Sequence, residues 1–270
     1  MVRKQQLQCD ELQVLVENYR VTTQTFSNGL SFQCNELLNF DRLDAIFQLL
    51  AGKYGVSEKY VLASQFMKRY GYMVTVPFFY ALSVWNKALP IKIEETGVQT
   101  DDLEGVWLPK LYLQSISIST PGSNRNEWRE QAVKDLFEKH LNKVIKMLAK
   151  PAKVSRQVLW ENTAVYIFWI YEKMMEDYPE NRDIVDDFQF LLHADGSLFG
   201  EGNTYNPIGK FYTEKRYIPQ KNQSLRVRKT CCFYNRLPKV TDSCTTCPET
   251  CNVNWTGGDE ISNGKAQRTI

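Results

Sequence analysis

The stretch "SRQVLWENTAVYIFWIYEKMM", residues 155–175, decides the class of fold. Ser155 is a good helix N-cap, and the residues after it are apolar on nearly every side. A helix without a polar face must be surrounded by other elements, so this one is expected at the centre. The flanking chain supplies the surround. Residues 41–51, "DRLDAIFQLLA", carry apolar side chains at helical spacing, and Gly52 is expected to end that helix. Ser57, followed by Glu58, is expected to start a second helix that ends at Gly71. The most apolar run, "YMVTVPFFYALSVW" from Tyr72 to Trp85, has 14 residues. That is too short to cross a bilayer, and Pro77 suits the first turn of a third, buried helix.

Downstream, residues 126–149 place Trp128, Ala132, Val133, Leu136, Phe137, Leu141, Val144, Ile145 and Leu148 on one stripe, and Pro151 is expected to stop the helix. After the central helix comes an acidic one, from about Asn181 to Leu192, whose adjacent Asp186 and Asp187 are expected on a solvated face. Strand signals are few. "IKIEE" (91–95) and "WLPKLYLQSISIST" (107–120) alternate at period two and are expected to pair across "TGVQTDDLEG". The expected fold is therefore α+β and helix-rich, with a small antiparallel sheet. No internal repeat, G-x-G-x-x-G fingerprint or P-loop is present, which argues against a Rossmann-type dinucleotide site.

Near Gly196 the composition changes: "DGSLFGEGNTYNPIG" reads as a linker or loop. Between Ile208 and Val240 stand nine basic residues (Lys210, Lys215, Arg216, Lys221, Arg226, Arg228, Lys229, Arg236, Lys239) against Glu214 alone. That segment is +8, so the rest of a chain with net charge +2 carries −6. Such a field attracts an anion: an acidic protein, an anionic small ligand or nucleic acid.

The basic segment runs into "RKTCCFYNRLPKVTDSCTTCPETC", residues 228–251, which holds five of the seven cysteines. The N-terminal "MVRKQQLQCDELQVL" has no apolar core before a cleavage site, so no secretory signal and a cytoplasmic location are expected. Disulfides are rare in that compartment, and an odd number of cysteines cannot all pair. Clustered cysteines there more often hold a metal. Cys231 and Cys232 are adjacent, 11 residues precede Cys244, and two separate Cys244 from Cys247. Neighbouring side chains diverge, which suits a binuclear iron–sulfur cluster better than one zinc ion, whose ligands usually stand two to four apart. Both remain open from the chemistry alone. Cys9 and Cys34 read as buried, unreactive thiols. Only two histidines exist, and neither is near the motif, so Rieske-type ligation is not expected. His140 falls on an apolar face as a core residue, and His193 ends a helix.

"RKTCCFYNRLP" and "CTTCP" resemble the C-terminal motif of the FhuF-like ferric-siderophore reductases, where an adjacent cysteine pair and a later C-x-x-C hold a [2Fe–2S] cluster. Phe233, Tyr234, Arg236, Leu237 and Pro238 after the pair fit that motif, as does Pro248. "LWEN", residues 159–162, resembles a Trp-x-Asn feature of the family's helical domain. The intervening loop is one residue longer than in the family, and Cys251 is an additional cysteine, expected to be a free thiol. The resemblance implies Cys231, Cys232, Cys244 and Cys247 as ligands. It also implies a division into a siderophore-binding domain (1–205), a basic [2Fe–2S] segment (206–255) and a polar tail (256–270). The implied activity is one-electron reduction of a cytoplasmic ferric siderophore of hydroxamate or citrate type. Electrons would come from a ferredoxin or flavodoxin, with no nucleic acid and no membrane span involved. Arg228, Lys229 and Arg236 are expected to stabilise the reduced centre, and together with Arg226 to guide and bind an anionic chelate. The rival reading is a zinc-stabilised protein binding nucleic acid or siderophore without redox activity.

Overall fold

The structure, a computed structural model, describes residues 3–25, 29–100, 107–238 and 240–251. Seven α-helices among these residues are α1 (Cys9–Asn18), α2 (Phe40–Tyr54), α3 (Lys59–Trp85), α4 (Arg125–Leu136), α5 (Asn142–Ala152), α6 (Arg156–Asp177) and α7 (Arg182–His193). Helix α6 is central, as its all-round apolar sequence requires, and Ser155 caps it by accepting from Gln157 N. It packs along α3, with α5 and α7 against the same pair.

Helix α3 corrects the sequence reading. It is one helix of 27 residues that runs through both Gly71 and Pro77. Gly71 does not end it. A Cβ there would lie 2.9 Å from Thr163 Oγ1, so the glycine is needed for the close approach of α6. Pro77 lacks an N–H to donate within the helix. Nearby, Thr75 Oγ1 donates to the Gly71 carbonyl at 2.6 Å. Packing on nearly all sides holds this helix together where local propensity would divide it. Similarly, α2 ends at Gly55, whose φ of 64° is left-handed, rather than at Gly52. The stripe over 126–149 forms α4 and α5, joined by one widened π turn at Phe137–Leu141. Pro151 lies within the last turn of α5, and Lys153, at φ 50°, ends it.

The strands are β1 (Arg3–Gln6), β2 (Val21–Thr22), β3 (Phe32–Gln33), β4 (Thr96–Gln99), β5 (Lys110–Leu113), β6 (Ser117–Thr120), β7 (Arg216–Ile218) and β8 (Gln223–Leu225). A four-stranded sheet has the order β2-β5-β4-β3, and β1 pairs with β6, β7 with β8. The expected hairpin exists as β4–β5, antiparallel with Thr96 opposite Leu113. Its first strand is 96–99 rather than 91–95, and β2 joins β5 in parallel, so the sheet is mixed. The fold is a helix-rich α+β fold. No helix of the described residues is long and apolar enough to cross a membrane.

The glycine-rich stretch after Asp195 is a loop seated on the core, not a loose linker. Leu198, Phe199 and Ile208 are buried in it, because its polar sequence still carries three apolar anchors. The main core continues through Phe211, Phe233 and Leu237, while Ile218, Val227 and Cys251 form a small satellite. The polar tail 256–270 and Lys239 lie outside the described residues.

Candidate metal centre

Two short segments bring four cysteines together. The first, Val227–Thr230, is buried and leads into Cys231 and Cys232. Phe233 then takes a left-handed φ of 57°, which turns the chain directly after the pair. Its ring fixes the turn by meeting Tyr60 edge-on at 5.0 Å. The second segment contains the tight turn of Cys244 to Cys247, closed by Cys247 N donating to Cys244 O at 3.0 Å. A backbone bond from Arg228 N to Thr246 O, also 3.0 Å, ties the segments side by side.

Within this frame Cys232 Sγ and Cys244 Sγ are 3.5 Å apart. Cys247 shares hydrogen bonds with Cys231 and Cys244. Phe233 N donates to Cys231 Sγ at 3.4 Å. The contacts between thiols divide them by charge. A hydrogen bond from Cys244 moves Cys232 down to about 5, with Arg228 and Lys68 assisting. Cys247 is lowered by the bond from Cys231. Cys231 and Cys244 are raised as the proton-holding partners. The four sulfurs form one continuous series, Cys231–Cys247–Cys244–Cys232. Among the described residues, no three or more His, Cys, Asp or Glu side chains close around a point that could hold one metal ion. All seven cysteines are free thiols. Cys251 is apart from the four: its Sγ lies 3.7 Å from Thr245 O, beside Ile218 and Val227.

The helix pair α3–α6 grips the first segment through a buried polar network. Ser64 Oγ and Gln65 Nε2 both donate to the carbonyl of Cys232, at 2.8 and 2.7 Å. Arg69 donates to the Gln65 carbonyl and side-chain oxygen, both at 3.1 Å, and so orients that amide. From α6, Glu161 accepts from Lys229 N at 2.7 Å, Thr230 N at 2.8 Å and the Thr230 hydroxyl. Arg228 donates to Asn162 Oδ1 at 2.6 Å and lies 3.6 Å from Glu161. Asn162 Nδ2 returns to α3 by donating to Ser64 O and Oγ, both 2.9 Å. Glu161 and Arg228 are 1% and 3% exposed, so this is a charge pair within the core.

A family model described as ferric iron reductase FhuF-like transporter matches residues 64–200. The chain belongs to this family. The family match begins at Ser64 and takes in Gln65, Arg69, Glu161 and Asn162, and it ends before the cysteines. No curated protein matches the chain. Among solved structures, aerobactin synthetase IucC from a hypervirulent pathotype of Klebsiella pneumoniae is similar at 11% identity and a TM-score of 0.43. The similarity covers 69% of this chain and 37% of that one, so the chain spans well under half of that protein's length.

The basic residues singled out in the sequence occupy unlike places. Arg228 and Lys229 are buried under the cysteine segment, because Glu161 and Asn162 draw that segment into the helix pair. Arg226 pairs with Glu172 at 2.6 Å, and its guanidinium lies 3.7 Å from the centre of the Tyr212 ring. It lines an open cleft of about 590 Å³ with Met175, Thr213 and Lys215. Of the four, Arg236 alone is an exposed side chain. Lys68, which acts on Cys232, was missed from sequence, as were Ser64, Gln65 and Glu161. A signal existed for Glu161 and Asn162: they are adjacent polar residues inside an otherwise apolar helix, where each needs a buried partner.

The histidines stand as their sequence positions suggest. His140 is buried and bonded to Tyr70 OH at 2.5 Å and Ile91 O at 3.2 Å. His193 Nδ1 bonds Gln189 O at 2.9 Å, in the last turn of α7. Cys34 is buried, and burial pushes its thiol up to about 11. Cys9 is exposed, against expectation, because it opens α1 on the solvent side.

Proposed function

We propose that this protein is a cytoplasmic reductase of ferric siderophores, and that Cys231, Cys232, Cys244 and Cys247 hold a [2Fe–2S] cluster. The observation that carries this reading is the meeting of four thiols on a chain whose helical body belongs to a ferric iron reductase family. The donor set suits the group: four thiolates are the usual ligands of such a cluster. When bound, an all-thiolate cluster supplies one-electron transfer at low potential, around −400 mV in plant-type ferredoxins.

The chain's own residues do the rest. Ser64 holds the Cys232 carbonyl and Glu161 the Lys229 and Thr230 amides just before the pair, so side chains beyond the ligands orient the segment that carries them. Substrate iron sits in hard oxygen donors that prefer Fe(III) to Fe(II). One electron therefore turns Fe(III) to Fe(II), and the chelator leaves intact. The lack of a flavin or nicotinamide fingerprint in the sequence points to an acidic ferredoxin or flavodoxin as electron donor, attracted by the exposed basic residues Lys210, Lys215, Arg216 and Arg236. The test is metal and sulfide analysis of anaerobically purified protein with a visible spectrum. About two irons and two sulfides per chain and a red-brown colour are expected for this cluster type. One zinc and no visible bands would overturn the reading.

A further inference from the structure

We propose that Glu161 and Arg228 form a buried counter-charge pair that sets the reduction potential of the four-cysteine centre in opposite directions. This rests on the cluster reading above. The geometry supports it independently of any metal. Arg228 is 3% exposed, stands three residues before Cys231, and donates its backbone N–H to Thr246 O at 3.0 Å, inside the Cys244–Cys247 turn. Glu161, 1% exposed and 3.6 Å from Arg228, is its buried acidic partner.

The carboxylate does not belong to Arg228 alone. Three further donors, two of them backbone amides, converge on Glu161 from Lys229 and Thr230. The guanidinium, for its part, is shared with Asn162. A pair divided in this way leaves the positive charge to act on the sulfurs, with the negative charge held on α6. In a dry interior neither charge is screened by salt. Adding an electron makes a thiolate-ligated centre more negative. A positive neighbour favours that state and a negative neighbour opposes it.

The pair also gives a role to the polar step in "LWEN". Glu161 and Asn162 act as positioning residues: they hold the cysteine segment against the helices and fix where its nearest charge stands. A purely structural role would make every substitution shift or destroy the centre in the same sense. A charge role makes the two partners differ in sign.

The experiment is a redox titration of anaerobically purified wild type, Glu161→Gln, Arg228→Gln and the double variant. Glu161→Gln keeps the size and removes the negative charge, and its one remaining oxygen still accepts from one of the two backbone amides. At the wild-type midpoint it should raise the reduced-to-oxidised ratio about tenfold, which is 59 mV for one electron. Arg228→Gln should lower it by a similar factor, Arg228→Lys should remain near wild type, and the double variant should fall between the singles. Shifts of the same sign, or no shift in Glu161→Gln, overturn the proposal. If Arg228→Gln retains no iron, the Glu161→Gln and Arg228→Lys values decide it alone. Amide exchange gives a readout that needs no iron: Glu161→Leu should speed exchange at Lys229 and Thr230 and leave the middle of α3 unchanged. Unaltered exchange there removes the positioning role. An iron-free wild-type protein overturns the parent reading and this one together. Iron-loaded variants with unsplit potentials overturn this one alone.

Discussion

Thr163 occupies the space where Gly71 would carry a side chain: a Cβ there would meet Thr163 Oγ1 at 2.9 Å and Thr163 Cα at 3.0 Å. One of those atoms is backbone, so the contact cannot be relieved by a rotamer change. Gly71→Ala should therefore force α3 and α6 apart. The intrinsic helix preference of alanine, worth about 1 kcal/mol, works the other way. Overpacking typically costs about 1–3 kcal/mol, so the net change is a loss. Urea unfolding should show a lower midpoint with an unchanged slope for Gly71→Ala, and a larger drop for Gly71→Val. A stabilised Gly71→Ala would show that the helices are not held at this distance.

His140 gives a pH signature. The neutral tautomer is fixed by its partners: the Ile91 carbonyl can only accept, so Nδ1 carries the proton and Nε2 accepts from Tyr70 OH. Burial lowers its pKa from 6.5 to about 4. Above pH 6.5 the residue is neutral folded and unfolded and contributes no pH dependence. As pH falls from 6.5 to 4 the unfolded chain takes up a proton that the fold refuses, so stability falls. The loss from this group is complete below pH 4 and amounts to about 3 kcal/mol. His140→Gln should flatten the stability curve between those pH values relative to wild type. An unchanged curve would mean that His140 protonates without unfolding.

The sequence revealed helices wherever periodicity and apolar surface agreed, and it failed where tertiary contact overrode local signals. Gly71 and Pro77 look like breaks because chain propensity is local, and the reason for the glycine lies 92 positions away in Thr163. Asp187 was expected in solvent. It is 1% exposed, held by Arg125 at 2.7 Å and Arg129 at 2.9 Å from α4, and it accepts from Ser83. Adjacent residues on a helix point about 100° apart, and only the fold shows that Asp187 turns inward while Asp186 stays exposed. At the candidate site, the cysteine pattern was readable because ligand spacing is local. The grip on Cys232 by Ser64 and Gln65 was not, since it spans 168 and 167 positions.

The four cysteines and Cys251 should separate on substitution. Cys231→Ser, Cys232→Ser, Cys244→Ser and Cys247→Ser each remove a thiol from the linked set and should lose most of the iron. Cys251 lies 3.7 Å from Thr245 O in the satellite of Ile218 and Val227, outside that set. Cys251→Ser should keep the iron and the visible spectrum, with at most a small stability loss from a buried hydroxyl. Iron content by metal analysis checks all five. Bleaching in Cys251→Ser together with colour in Cys247→Ser would exchange the two assignments.

Salt dependence should distinguish the exposed basic residues from the buried ones. Arg236 is exposed beside the cysteine turn, while Arg228 and Lys229 lie beneath it. Salt acts most strongly on the attraction exerted by solvent-exposed charges and much less on that of buried ones. The Debye length falls from about 30 Å at 0.01 M to about 8 Å at 0.15 M ionic strength. Reduction of an anionic ferric siderophore by a chemical electron donor should slow over that range, and that of a neutral one much less. Arg236→Glu reverses an exposed charge, so it should weaken the salt slope for the anionic substrate and leave the visible spectrum unchanged. Arg228→Glu is a different experiment: it sets two buried carboxylates against each other and should destabilise the fold by about 3–5 kcal/mol. The chemical donor keeps protein docking out of the rate. Equal slopes for anionic and neutral chelates would assign the exposed charge to the electron-donor protein instead.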